Sequence, residues 1–439
     1  MEGDVVDFPQ LKEKGEITAV TLYSSTSYFL YRMEPMGYEY ELIQDFATAN
    51  DLKLNVVVAE SQEQMIEMLQ VGKADVVAYP IVFKRELMQQ ALYCGREELS
   101  SQVLVQHIGP GVKPLTDVTQ LLGKEVYVKQ NTPYYERLKN LDVELGGGIL
   151  IREIDKDSLT TEDDLVEMVS TGAITYTISD DKVARLNKTY YWNIDVSLQI
   201  SFQQRSSWIV RKSSPQLAEA INKWASDNVG ERSYKATSKR YFEMSKKVLE
   251  LSLPAIKDGH ISPYDELFRK YAKKLNWDWM LLASVSYQES HFIHTVVSWA
   301  GAQGLMGIMP RTAATLKIPM NELEDPDVNI RAGTEVMRIF RDGFKDVTDT
   351  IQLIKLTLAS YNAGIGHIQD AQRLAEKYGK SPVIWDDNVA EFILLKREPV
   401  YYNDSVCKFG YLRGSETYSY VREIIGRYEY YKQQLPIKK

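Results

Sequence analysis

Near residue 262 the hydrophobic pattern of this chain changes period, and that break constrains the fold more than any other feature. Ahead of it, short β-branched runs alternate with helical spacing. Residues 17–22 read as a strand, and 38–52 as a helix with Leu42, Ile43, Phe46 and Ala47 on one side. Residues 54–58 read as a buried strand, 63–71 as a helix closed by Gly72, and 75–78 as a strand. The same rhythm returns over 124–186, with strands at 126–128, 150–153 and 174–178 and helices at 133–141 and 161–171. A further strand at 207–213 and a helix at 215–228 follow. Alternating elements of this kind predict a parallel or mixed sheet covered by helices. Beyond 262 the strand signals thin out and helices dominate. The break itself, residues 252–263, carries two prolines and a glycine, the composition of a linker.

With 439 residues the chain is too long for one ordinary core, and two or three domains are expected. The boundaries predicted are an N-terminal extension at 1–16, a two-lobed α/β domain at 17–245, a linker at 246–262 and a mainly α domain at 263–439. Within the α/β part, 17–103 with 200–245 form one lobe and 104–199 the other. A net charge of −8 argues against a general nucleic-acid binder. No uncharged apolar stretch approaches the ~20 residues a membrane span needs. The first residues are acidic and lack the apolar core of a signal peptide, so the chain is either cytoplasmic or has lost a targeting segment. Cys94 and Cys407 are too few and too far apart for a disulfide framework or a cysteine metal site.

The residues that carry chemistry lie mostly after the break. A helix predicted from about Trp277 to Glu289 places Leu281, Leu282, Val285 and Glu289 at helical spacing. Glu289 then sits at the C-terminal end of an apolar face, where desolvation and the helix dipole both favour the neutral acid. Such a carboxyl suits general-acid cleavage of a glycosidic bond. Residues 301–310, Gly-Ala-Gln-Gly-Leu-Met-Gly-Ile-Met-Pro, allow a tight backbone path without the lysine of a phosphate loop. Residues 358–364, Leu-Ala-Ser-Tyr-Asn-Ala-Gly, put a phenol and an amide at a helix end. Residues 416–421, Glu-Thr-Tyr-Ser-Tyr-Val, open another helix. His291 and His294 lack the spacing and further ligands of a zinc site, so no metal or other cofactor is expected.

In this order the four segments resemble the lytic transglycosylases with a lysozyme-like fold. The resemblance covers about residues 262–430 and implies Glu289 as the catalytic acid, with Ser290 following it in the motif. It implies substrate contacts for Ser298, Met306, Met309, Tyr361, Asn362, Glu416 and Tyr420; core packing is the competing reading for the two methionines. The chain departs from many relatives at Gly307, where a glutamine is common.

Residues 17–240 resemble the periplasmic solute-binding domains of the amino-acid-binding type. The resemblance rests on residues 37–46, 68–78, 84–86, 123–128 and 172–180. It implies that Arg85 clamps a ligand carboxylate and that Asp180 holds a ligand amine. A surface or helix-start role for Arg85 and a helix cap for Asp180 are the competing readings. The implied ligand is an amino acid or a muropeptide.

The lytic transglycosylases cleave peptidoglycan glycan strands without water. One carboxyl suffices because the substrate's own C6 hydroxyl closes a 1,6-anhydro ring, and no second acidic motif stands beside Glu289 in the sequence. The family works in the bacterial envelope, on the periplasmic side of the outer membrane, through a lipid anchor that this sequence does not contain. A lysozyme-like hydrolase on the same scaffold, and a ligand sensor with an inactive catalytic half, are the alternatives.

Overall fold

The computed structural model describes residues 6–32, 34–155, 160, 162–228, 232–244, 256 and 259–435. The chain divides into two compact units. One comprises Met1–Tyr28 and Met36–Lys246; the other comprises Lys247–Lys439 and the short segment Phe29–Pro35.

The first unit is built on two five-stranded sheets. Its strands, in chain order, are β1 (Glu16–Leu22), β4 (Lys53–Ala59), β5 (Val76–Val82), β6 (Ala91–Ser100), β7 (Gln102–His107), β8 (Glu125–Lys129), β9 (Leu150–Ile154), β10 (Tyr176–Asp180), β11 (Ile194–Asp195) and β12 (Gln204–Arg211); β2 (Phe29–Tyr31) and β3 (Glu34–Met36) form a separate hairpin. The first sheet runs β4-β1-β5-β12-β6 and the second β11-β7-β10-β8-β9. In the first, β1 pairs parallel with β4 and β5, while β12 runs antiparallel to β5 and β6. The chain crosses between sheets at buried Ser101 and returns through residues 200–203, where the Ile200 amide donates to the Gln102 carbonyl. Val20, Val77 and Ile209 in one sheet, and Leu104, Val126 and Ile178 in the other, anchor separate cores.

The stretch ahead of β1 is not a free extension. Asp7 caps the helix Phe8–Lys14 and also accepts from the amides of Gln216 and Leu217, the first turn of the helix Pro215–Asn228. One carboxylate thereby satisfies the orphan donors of two helix starts. Leu11 seals the contact at 1% exposure. Of the linker expected at 246–262, residues 246–255, 257 and 258 lie outside the described residues; Ile261 and Ser262 are buried with the helical unit.

The second unit is helical. Its first helix is Asp265–Leu275, and the Asp265 carboxylate collects the amides of Ile261 and Ser262 just ahead of it. Two helices, Trp279–Ser290 and Thr350–Ala363, are buried almost all round and form the centre of one continuous core. Asp370 and Lys396 meet with both side chains at 0% exposure, and Asp370 also takes the amides of Lys408 and Phe409. Removing one partner of such a pair strands the other charge without water. Asp370→Ala is therefore expected to cost about 3–5 kcal/mol of unfolding free energy. Denaturant unfolding with an unchanged slope would measure it, and a loss below about 1 kcal/mol would show that the pair carries little weight.

Candidate active site

Glu289 lies in the last turn of the helix Trp279–Ser290. Asp278 caps the start of this helix through the Met280 amide, and left-handed residues His291 and Phe292 end it. The helix is so enclosed that its small hydroxyls must find partners inside the protein. Ser284 bonds the Met280 carbonyl, Ser286 the Leu305 carbonyl, and Ser290 both Ser286 and Leu305. Ser290 thus ties the acid's helix to the glycine-rich segment. The Glu289 side chain itself is 6% exposed.

The glycine-rich segment passes close under that helix end. Asn329, on the helix Pro326–Asp342, donates to the carbonyls of Gln303 and Leu323 and accepts from the Met306 amide. Gly304 has φ of +76°, and a Cβ there would stand 2.1 Å from the Asn329 amide nitrogen. Gly307 has φ of +59°, and a Cβ there would stand 2.3 Å from Glu289 Oε2. Both positions need glycine for backbone reasons and for space. Ser298 closes the preceding turn by accepting from the Ala302 amide. Met306 packs in the core and Met309 is 2% exposed, so both methionine side chains are covered in this structure.

The remaining walls come from far along the chain. Tyr420, on the helix Gly414–Gln434, donates to Glu289 Oε1 at 2.6 Å. Tyr361 donates to the Met306 carbonyl at 2.8 Å. Asn362 accepts from Thr417. Glu416 is a second carboxyl in this neighbourhood: burial raises its pKa, Arg413 and Arg32 oppose that, and the Glu289 charge adds to it. Burial and then the Glu289 charge push the Tyr420 phenol well above its usual range, so it stays a donor.

One partner was not legible in the sequence. Arg32, in the segment Phe29–Pro35 that belongs to this unit, donates from one nitrogen to both Glu289 oxygens at 3.0 and 2.9 Å. A second nitrogen donates to the Gly307 carbonyl at 2.9 Å, and the guanidinium lies 5.8 Å from the centre of the Tyr361 ring. With Arg32 and Tyr420 there, both carboxyl oxygens are engaged. The environment of the acid is therefore a dry helix end together with a cation. No sequence periodicity signals such a pairing, since it joins positions 257 residues apart across a turn.

In the first unit, Asp180 stands at the end of β10 and caps the helix Asp181–Lys188 through the Lys182 amide. Glu162, which the sequence reading missed, accepts from the Ser179 hydroxyl and the Asp180 amide. Burial lifts Glu162 to about 7 and Asp180 to about 6, the neighbouring acids adding to each shift. Tyr79, from β5, and Tyr134 both feel the charges of these two acids; burial carries Tyr79 to about 12. Residues of both sheets thus converge on one acidic, tyrosine-lined place. Arg85 is the exposed first residue of the short helix Arg85–Met88 and is not part of that set. No group of three or more His, Cys, Asp or Glu among the described residues is placed to hold a metal ion. No helix among them is long and apolar enough to cross a membrane.

The fold and site define a two-part protein, a solute-binding-type α/β unit with a helical unit whose site is built around Glu289. Models of known families agree on both parts. Residues 19–244 match the bacterial extracellular solute-binding proteins, family 3, and residues 266–384 match the transglycosylase SLT domain. A membrane-bound lytic murein transglycosylase F of Desulfosudis oleivorans is 30% identical over 97% of this chain and 92% of its own length. That of Photobacterium profundum is 28% identical over 98% of this chain and 82% of its own. Among solved structures, an ancestral cationic amino acid solute-binding protein aligns with 54% of this chain and 99% of its own at 15% identity, with a TM-score of 0.47. The chain belongs to the membrane-bound lytic murein transglycosylase F family.

The Arg32 contact makes a direct prediction. Arg32→Ala is expected to raise the rate of glycan cleavage by about tenfold or more, the weight of a charge-assisted hydrogen bond. Arg32→Lys keeps the charge but loses the planar fork and should fall between. Release of anhydro-muropeptides from purified peptidoglycan measures both, and an unchanged or lower rate in Arg32→Ala would refute it.

Proposed function

We propose that the helical unit cleaves peptidoglycan between N-acetylmuramic acid and N-acetylglucosamine, with Glu289 acting first as acid and then as base. The carrying observation is a glutamate nearly closed off from water at a helix end, held by the Tyr420 hydroxyl. Glu289 gives its proton to the bridging oxygen while the substrate's N-acetyl group supports the developing cation. The resulting carboxylate removes the proton of the C6 hydroxyl, which closes on the anomeric carbon, so no water is consumed. This is the chemistry of a lyase. Glu416, raised by burial, is a substrate contact in this scheme rather than a second catalyst. Tyr361 and Asn362 hold the walls, and Ser298 shapes the turn facing the reacting sugar. Glu289→Gln should reduce anhydro-product formation by at least about a thousandfold while leaving thermal unfolding unchanged. Product ends identified by mass spectrometry decide it; reducing ends from the wild type would instead indicate the hydrolase.

We infer a cell-envelope location from the membrane-bound relatives. Anchoring on the periplasmic side of the outer membrane through a lipid is the finer proposal.

We further infer that the first unit binds a small ligand, an amino acid or muropeptide, whose amine faces Asp180 and Glu162 between Tyr79 and Tyr134. Arg85, exposed beside β5, remains the candidate for a ligand carboxylate that reaches further out. Because both ends of the segment carrying Arg32 continue into the first unit, ligand binding there is proposed to adjust activity. The two acids must be ionised to hold a cation, and they ionise as pH rises through about 6 and 7. Affinity for a cationic amino acid such as lysine should therefore rise between pH 5 and 8, by roughly tenfold per pH unit for each acid that is still protonated, and level off above the higher pKa. Calorimetric titration reads this; an affinity that falls over that range would overturn the assignment.

A further inference from the structure

The segment Phe29–Pro35 does more than supply Arg32. Three chemically different groups of it meet the helical unit in succession. The Leu30 carbonyl faces the imidazole of His367, the Tyr31 ring lies against the indole of Trp299, and Arg32 meets Glu289. Each resembles part of the glycan that the site is built to cleave. A backbone amide carbonyl is the same acceptor as the acetamido group that every second-position nitrogen of the substrate carries. A flat ring on an indole occupies the space that the apolar face of a pyranose takes against an aromatic side chain. A guanidinium beside the acid stands where positive charge builds at the anomeric carbon in the transition state.

His367 is the more telling of the two unassigned residues. It lies in the first turn of the helix Ile365–Lys377, immediately after the Tyr-Asn-Ala-Gly segment. It is 0% exposed, and neither ring nitrogen has a hydrogen bond of good geometry. Burial first, and then the charge of Lys396, hold the imidazole well below its usual basicity, so it is neutral with one N–H to give. A buried donor without a proper acceptor is destabilising, and the Leu30 carbonyl that it faces is an imperfect match. Trp299 is 8% exposed beneath Tyr31, with ring centres 5.4 Å apart and planes at 55°. Leu30 and Arg32 are two residues apart, about 7 Å in an extended chain, which is on the order of one sugar unit.

We propose that Trp299 and His367 form a sugar-binding subsite next to Glu289, the indole stacking on a pyranose face and the imidazole N–H donating to an acetamido carbonyl. The proposal rests on the glycan-cleaving reading above. Neither residue touches the reacting atoms, so both act on substrate binding.

The test uses the full chain carrying Arg32→Ala together with Tyr31→Ala, so that both the acid and the indole are uncovered, and tetra-N-acetylchitotetraose as a soluble probe. The oligosaccharide should shift tryptophan fluorescence in that double variant. That shift should largely vanish when Trp299→Phe is added, although six other tryptophans remain of the seven in the sequence. On peptidoglycan, Trp299→Ala and His367→Ala should each raise KM by about tenfold with kcat changed less than twofold, the weight of one stacking contact or hydrogen bond. Trp299→Phe and His367→Gln should recover most of the loss. A fluorescence shift that survives Trp299→Phe, together with an unchanged KM in His367→Ala, overturns the subsite while the glycan reading stands. Absence of both cleavage and probe binding in the double variant overturns both. Should His367→Ala fail to fold, His367→Leu against His367→Gln decides: the subsite predicts a raised KM in the first that the second recovers, and an equal KM in both overturns it.

Discussion

Keeping one carboxyl at the end of a fully buried helix is the constraint on which the rest of the helical unit depends. The hydroxyls and amides of the neighbouring backbone find partners locally, Ser286 and Ser290 on the Leu305 carbonyl and Asn329 on two groups of the glycine turn and on the Leu323 carbonyl. The acid itself is held at both oxygens, by Tyr420 and by Arg32. Holding it there requires the backbone of residues 301–310 to approach more closely than side chains allow. Gly307 achieves it: any Cβ would collide with the carboxyl as placed here. The absence of a longer side chain at 307 is then a condition for the Arg32 contact, because the same carbonyl that the glycine exposes accepts from the guanidinium.

What the sequence made legible was local or strongly periodic. The helix of Glu289, the glycine turn, and the Tyr361-Asn362 and Glu416-Tyr420 segments each carry a short pattern that is dictated by backbone geometry or by one helix face. Their convergence was not visible in those patterns, since Tyr420 bonds a residue 131 positions away; it entered through resemblance. The α/β unit was legible as alternation of strand and helix, and its exit and return between sheets followed from the two runs of strands. Three features escaped. Asp7 looked like part of a loose leader because its partners, Gln216 and Leu217, are some 210 residues on. Glu162 lies at the start of a helix that the sequence shows, but only the fold shows its carboxylate accepting from Ser179. Arg32 sits in a turn with φ of +50°, where no periodicity exists to read.

The same electrostatic rule operates in both units. A buried ion is tolerated where its counter-ion and backbone donors are built in, as for Asp370 with Lys396, and for Asp75 with Arg211 in the first unit. Glu162 and Asp180 are buried beside each other instead, and burial lifts them to about 7 and about 6. The paired acids hold the fold together, whereas these two stand where a small change of pH or of surroundings alters their charge.

Arg32 belongs to neither kind, and the difference explains how one short segment can cover an active site without a large interface. Its ion pair with Glu289 is complete, yet it is carried on a hairpin whose two ends are covalently fixed outside the helical unit. Tethering raises the local concentration of such a group to the order of millimolar, so a weak intrinsic affinity is enough to keep the contact formed. A glycan oxygen that takes the proton of Glu289 must take the place of the guanidinium, which holds both carboxyl oxygens and the Gly307 carbonyl at once.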